Sequence, residues 1–466
     1  MPEEASVARP PGSMSAHAQG SPRRNEIGSR QLGLSALAVL MYLTVCGGPY
    51  GVEDTVRLAG ARMSLLLCLI VPLSLSLPTA LMAAELTALM PVEGGFYVWV
   101  REALGPFAGF AEAYLTILYS AVDMAIYPVM FSAYLSFVLP LTMQARIVLG
   151  IAVVWTAGLL NALGVRPVGV ASIILTVVLV APFVVLVALG FPRLFHWQLP
   201  PSSTSGGDLL AALGGGLTVV IWNFSGWENL SVVAREIKDP GRNYIRAIAI
   251  VLPLVALSYL IPLAIALSGA RDVANWTTGS FSDAGREIGG SYLGEALALG
   301  GMISSFAVFE AGMLWISRLP FVLARDHYLP APLADLWPHG ATPWKAIVVC
   351  CVVFTVLIPL GFTALIVLDV FFYMTALALE MTALLRLRRL RPIRRGLFTI
   401  GGGRWMLYLI VLLPLLTWIA TFGLMLAHDE SRTDFLVAVA LALTTWPAYW
   451  ICRRRWGGPN QNSAEL

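Results

Sequence analysis

Charge is scarce in this chain. Lys, Arg, Asp and Glu make up 12% of its 466 residues, against about 25% in an ordinary soluble domain, so a water-facing surface of the usual kind is excluded. Cysteine is scarce as well. The five, Cys46, Cys68, Cys350, Cys351 and Cys452, lie in or beside apolar runs without metal-ligand spacing. They read as small packing residues rather than disulfides or thiolate ligands. The short alternating segments of a transmembrane barrel are missing, and no nucleic-acid-binding motif accompanies the arginines. No catalytic His, Ser or Cys constellation and no nucleotide-binding loop points to an enzyme. Asp326 and His327 adjoin each other without a nucleophile. No cofactor and no metal is expected.

What is present is apolar length. Hydrophobic residues are 58% of the chain and the mean hydropathy is +0.77, with runs of roughly 20 apolar residues along most of it. The fold class expected is an all-α integral membrane protein with about twelve transmembrane helices, near 33–58, 62–89, 107–139, 146–163, 168–190 and 207–234, then 244–268, 292–318, 343–361, 363–385, 405–427 and 433–452. Residues 1–32, rich in Pro, Ser, Gly and Arg, read as a disordered tail without a secretory leader. The connections expected on the side of the two ends hold 23 of the 30 Lys and Arg, Arg101, Arg318 and the Arg386–Arg404 group among them; the other side holds 7. The positive-inside rule then predicts a multi-pass protein of the cell (plasma or inner) membrane with both termini cytoplasmic.

Two segments are interrupted. The first breaks at Gly47-Gly48-Pro49-Tyr50-Gly51, and the sixth carries Asn223, Ser225 and Gly226 in mid-membrane. Breaks in positions one and six, five apart, predict inverted five-helix repeats at 33–190 and 207–386. Helices eleven and twelve follow at 405–455, then a tail at 456–466. In such transporters the broken helices meet at the midplane and hold the substrate. Unwound backbone at that depth is tolerated only where protein buries it or a watery cavity faces it. Glycine allows the unusual dihedrals and proline withholds an amide, so freed carbonyls and amides become available to a polar solute.

CGGPYGVEDTV resembles the first-helix motif of the amino acid–polyamine–organocation superfamily, in the variant of plant polyamine uptake transporters and their bacterial relatives. Residues 91–114, PVEGGFYVWVREALGPFAGFAEAY, resemble that family's first cytoplasmic loop and third-helix start. VDMAIYPVMFSAYL, IWNFSGWENLSVVAREIKDPGRN and FEAGMLWISRLPFVLARDHYLP are similar to its third, sixth and eighth helices. The likeness spans roughly residues 33–395. It implies the leucine-transporter fold and alternating-access secondary transport, with the last two helices outside the ten-helix core. One departure stands out. The plant branch has an aromatic before a Trp-Asp pair in helix six; this chain has Ser225-Gly226-Trp227-Glu228, a longer carboxylate beside smaller neighbours.

Buried acids favour a positive guest. A carboxylate at the bilayer centre costs on the order of 3 kcal/mol, and few Lys or Arg stand at matching depth. Asp123 shares a helical face with Tyr119 and Tyr127; Glu228 follows the second break beside Trp227 and Trp222; Glu310 lies in helix eight. Glu53 and Asp54 open the outer half of helix one. Glu85, Glu112, Asp369 and Glu380 read as structural. The expected substrate contacts are Gly47, Gly48, Pro49, Tyr50, Gly51, Asp123, Tyr127, Trp222, Asn223, Phe224, Trp227, Glu228 and Glu310. Asp123, Glu228 and Glu310 are the proton-coupling candidates, and Ser304 and Ser305 are candidates for a sodium site. Ammonium groups pair with carboxylates, and aromatic faces attract them. The expected function is import of polyamines or related organic cations, coupled to protons. The alternative is an amino acid permease for cationic or neutral amino acids, in which the freed amides of 47–51 hold a carboxylate. The partners are the small cationic or amino-acid substrate, a coupling proton or sodium, and the lipid bilayer; nucleic acid is excluded.

Overall fold

The computed structural model describes residues 32–92, 94–164, 170–196, 198, 209–268, 270, 273, 275–338, 342–359, 362–391, 397–427 and 429–456. The expected tails, save Leu32 and Trp456, lie outside the described residues, as do Arg394 and Arg395 of the arginine group. Among the described residues every element is helical apart from one isolated bridge.

Helix α1 (Leu34–Val45) and helix α2 (Glu53–Val71) flank the first break. Gly60 in α2 has φ +77° and ψ 163°, a conformation that L side chains rarely adopt. It divides the second half of span one from span two, which continues through a π turn into α3 (Leu77–Leu89). A short amphipathic α4 (Gly95–Leu104) leads to α5 (Pro106–Val138), whose first residue is a proline with no amide to lose. Then come α6 (Met143–Ala162), capped by the Thr142 hydroxyl, and α7 (Val170–Gly190). Helix α8 (Leu209–Asn223) stops at the second break, and a 3-10 segment, Asn229–Glu236, completes span six.

The rest of the chain forms α9 (Pro240–Leu267), the short α10 (Ser280–Gly289), α11 (Ser291–Ile316) and α12 (Arg318–Arg325). It ends with α13 (Trp344–Leu357), α14 (Phe362–Leu390), α15 (Gly403–Ala427), α16 (Asp429–Leu443) and α17 (Thr445–Trp456). Among the described residues nine runs are long and apolar enough to cross a membrane, and α1, residues 212–223 and α13 are shorter apolar helices.

Burial sorts the spans. In the apolar windows of Ser291–Arg325 and Ala364–Leu390, 72% is buried, against 17% in Arg432–Arg455. So α11 and α14 are central, both packed on α5, while the last span presents Leu436, Val437, Trp446 and Ile451 outward, as a lipid-facing helix does. Leu32 pairs with Ile237 as a parallel bridge, with Leu32 N–H donating to Glu236 O at 2.6 Å and Lys238 N–H to Leu32 O at 3.0 Å. The chain entering α1 is thereby strapped to the chain leaving span six.

Candidate functional site

The first break unwinds from Cys46 to Val52. Gly47, Gly48 and Gly51 have φ of +60°, +100° and +88°. At Gly47 crowding adds to the dihedral: a Cβ there would stand 2.1 Å from Val308 Cγ2. Protein groups take up much of the freed backbone. Ser304 Oγ donates to the Gly47 carbonyl, Tyr259 OH to the Cys46 carbonyl at 3.5 Å, and Asn223 Nδ2 to the Gly51 carbonyl at 3.5 Å. The Gly51 amide donates to Glu53 Oε2 at 2.7 Å. Glu53 also accepts from Tyr134 OH at 3.2 Å and from the Gly279 amide at 3.3 Å. Asp54 accepts from Thr278 Oγ1 at 2.8 Å. These two acids fasten the C-terminal end of the break to the loop before α10.

The second break runs from Phe224 to Glu228, with Gly226 at φ +90°. Ser76 Oγ donates to the Phe224 carbonyl at 2.9 Å and Tyr244 OH to the Trp227 carbonyl at 2.8 Å. The Gly226 amide donates to Tyr373 OH, and that phenol donates to Glu228 Oε2, both at 3.3 Å.

A cavity of about 20 Å³ lies where the breaks meet, room for a guest of water size. Tyr50, Tyr127, Trp222 and Asn223 line it, together with Cys46, Met130, Tyr259, Ser304, Ser305 and the valines 45 and 308. The Tyr50 ring meets Tyr134 at 5.3 Å and Phe183 at 4.8 Å, both edge-on. Tyr127 and Trp222 stand 6.1 Å apart. A larger solute enters only when this aromatic wall moves.

The expected site residues divide into three groups. The glycines, Pro49, Tyr50, Tyr127, Trp222 and Asn223 form the cavity or the break beside it. Asp123 stands one layer behind, its Oδ1 accepting from Trp222 Nε1 at 2.7 Å. The others lie outside the cavity lining. Phe224 packs on Tyr259 at 4.9 Å, and Trp227 Nε1 donates to the Phe224 carbonyl at 2.9 Å. Glu228 turns toward Tyr373. Glu310 Oε1 accepts from Asn161 Nδ2 of α6 at 3.1 Å. Sequence reasoning missed Met130 and Tyr259, along with Val45, Cys46 and Val308. Tyr259 had a signal, a lone tyrosine in an aliphatic helix between Pro253 and Pro262; Met130 had none. Ser304 and Ser305 both spend their hydroxyls on carbonyls, of Gly47 and Gly301.

Three ion pairs gather at the arginine-rich face. Asp326 accepts from Tyr97 and Arg101, Glu236 meets Arg318 at 2.6 Å, and Glu85 takes Arg388 with the Ile400 amide at 2.7 Å. Burial, and then the Asp326 charge, pushes the Tyr97 phenol above its ordinary range.

Paired broken helices around a midplane cavity, inside a ring of lipid-facing spans, define a multi-pass membrane protein of the broken-helix transporter class. A family model described as amino acid permease matches residues 32–446, and the chain belongs to that family, within the amino acid–polyamine–organocation superfamily. The polyamine transporter RMV1 of Arabidopsis thaliana is 30% identical over 392 residues, 82% of this chain and 78% of its own length. The polyamine transporter PUT1 of Oryza sativa subsp. japonica is 31% identical over 442 residues, 92% of this chain and 80% of its own. An uncharacterized transporter of Legionella pneumophila is 26% identical over 371 residues, 72% and 77% of the two chains. Among solved structures, MhsT in complex with L-phenylalanine has a TM-score of 0.57 at 14% identity, covering 86% of this chain and 98% of that one. The fold is leucine-transporter-like, and the protein is a membrane transporter.

Proposed function

We propose that this transporter imports polyamines or related organic cations across the cell membrane by alternating access, driven by membrane potential and protons. The observation that carries the reading is Asp123. It stands behind the aromatic wall of the cavity, bonded to Trp222, and among the described residues no lysine or arginine is near enough to interact with it. A cationic solute supplies the missing charge, and the rings of Tyr50, Tyr127 and Trp222 suit an alkyl chain that carries ammonium groups. The relatives named as polyamine transporters support the same substrate class. A dication entering at −100 mV gains about 4.6 kcal/mol, at roughly 2.3 per charge.

The asymmetry of 23 against 7 basic residues supports cytoplasmic termini. The two breaks support a first repeat over 33–190 and a second over 207–386. In the amino acid permease reading a substrate carboxylate needs free amides at the first break. The engagement of the Gly51 amide by Glu53 weighs against that.

The test is uptake of radiolabelled putrescine or spermidine into proteoliposomes. Asp123→Asn removes one partner of a buried charge pair, a loss of about 2–5 kcal/mol. Uptake is expected to vanish while the purified protein stays monodisperse. A well-folded Asp123→Asn variant that transports like the parent contradicts the reading.

A further inference from the structure

Five acids within the spans fall into one register. On α5, Glu112, Thr116, Tyr119 and Asp123 recur every three or four residues and share a face; on α14, Asp369, Tyr373 and Glu380, four and seven residues apart, share one as well. The two helices pack together and meet in antiparallel rungs. Asp123 and Asp369 are close enough for their charges to interact. The rings of Tyr119 and Tyr373 follow, edge-on at 5.6 Å, and then Glu112 with Glu380. Eleven residues separate the acid rungs on each helix, about 16 Å. The first rung stands behind Trp222 at the cavity. The second receives Glu228 from the break in span six, within charge-interaction range of both Glu112 and Glu380.

This second rung is short of partners. Glu112 Oε1 accepts from Thr116 Oγ1 at 2.8 Å. Glu112 Oε2 and Glu380 Oε2 have no hydrogen-bond partner, although the two residues are only 0% and 3% exposed. Asp369 Oδ1 is alone as well. Nearby cations are engaged elsewhere: Arg101 of α4 with Asp326 and Arg388 with Glu85 of α3. Among the described residues the other titratable groups close enough to interact with Glu112, Glu228 or Glu380 are Tyr119, Tyr244 and Tyr373, none of them cationic, and Lys345 of α13 pairs with Asp335. Among the described residues no group of three such side chains is set for a metal ion, and Tyr119 and Tyr373 close the space between the rungs. A buried oxygen without a partner is costly to keep, and the guest that fits here is the smallest cation.

We infer that Glu112, Glu228 and Glu380 form the site that holds the coupling proton, apart from the carboxylate that meets the substrate. The inference rests on the proton-driven reading above. A proton taken from water on one side adds an O–H to a carboxylate oxygen of the trio. That O–H donates to a neighbouring carboxylate and supplies the missing partner. When the proton leaves to the other side, the O–H bond breaks and like charges remain on α5, α14 and the broken segment. Their repulsion pushes the segment away from the two long helices. Protonation thus docks the break in span six, and deprotonation undocks it.

The test pairs two assays on reconstituted Glu112→Gln, Glu380→Gln and the double variant. Counterflow of labelled spermidine without any gradient reads substrate binding and translocation; accumulation driven by a pH gradient reads coupling. One coupled proton supports about a tenfold accumulation ratio per pH unit. The double variant is expected to lose that tenfold factor and keep counterflow; full gradient-driven accumulation in the double variant overturns the inference.

A measurement on the unmodified protein stands if the variants fail to fold. A hydrophobic carbodiimide, which reacts with protonated buried carboxyls, is expected to label Glu112 or Glu380 in peptide maps. Labelling that spares both overturns the assignment. If the unmodified protein shows no polyamine counterflow yet is labelled there, the substrate reading fails and this one stands.

Discussion

Trp222 does two things with one ring. Its face lines the cavity, and its indole N–H holds Asp123 at 2.7 Å, so a guest that displaces the ring also uncovers the acid. Glu310 is placed differently. Its carboxylate accepts from Asn161, and it does not line the cavity. Glu310→Gln keeps an oxygen for that amide, so cation counterflow is expected to stay within about threefold of the parent. A loss of uptake like that of Asp123→Asn, measured in the same vesicles, shows instead that the charge of Glu310 is used. Residue type alone did not separate these two acids, because both are single carboxylates in apolar helices. Their partners, Trp222 and Asn161, lie 99 and 149 positions away in sequence.

Helices and their breaks were the most legible part. GGPYG and NFSG interrupt long apolar runs, and the chain unwinds at both. Gly60 was not singled out, yet it is the point where span one turns into span two. Register between helices was not legible. Glu112 and Glu380, read as structural, stand against each other because α5 and α14 pack antiparallel, and nothing in either stretch encodes that offset. The ion pairs that join elements differ in depth, and the difference is testable. Glu85 is buried against the mostly covered Arg388 and the Ile400 amide, so Glu85→Gln removes the buried charge of the pair and is expected to cost about 3 kcal/mol. The pair of Arg101 and Asp326 is 24% and 23% exposed, and Asp326→Asn is expected to cost about 1 kcal/mol or less. Thermal unfolding in detergent ranks the two, and an equal or reversed ranking contradicts this account of the face.

At the scale of the whole molecule the strap from Leu32 to Ile237 joins both broken spans at the arginine-rich face, and the Glu53 cluster fastens the first break at the opposite end. Between them lies a cavity of water size with an acid behind its wall. In the alternating-access cycle we propose, these two closures release in turn while the central α5, α11 and α14 keep their packing. Composition made the membrane class legible, and the distribution of lysine and arginine supports an orientation; the size of the cavity appears only once the breaks are assembled. The central claim is that a positively charged solute docks there. Its most direct test is competition against labelled spermidine counterflow in proteoliposomes of the unmodified protein, with polyamines, cationic amino acids and neutral amino acids as competitors. The account predicts saturable exchange that unlabelled polyamines suppress and neutral amino acids leave unchanged. Saturable exchange of a neutral amino acid, with polyamines without effect, would contradict it.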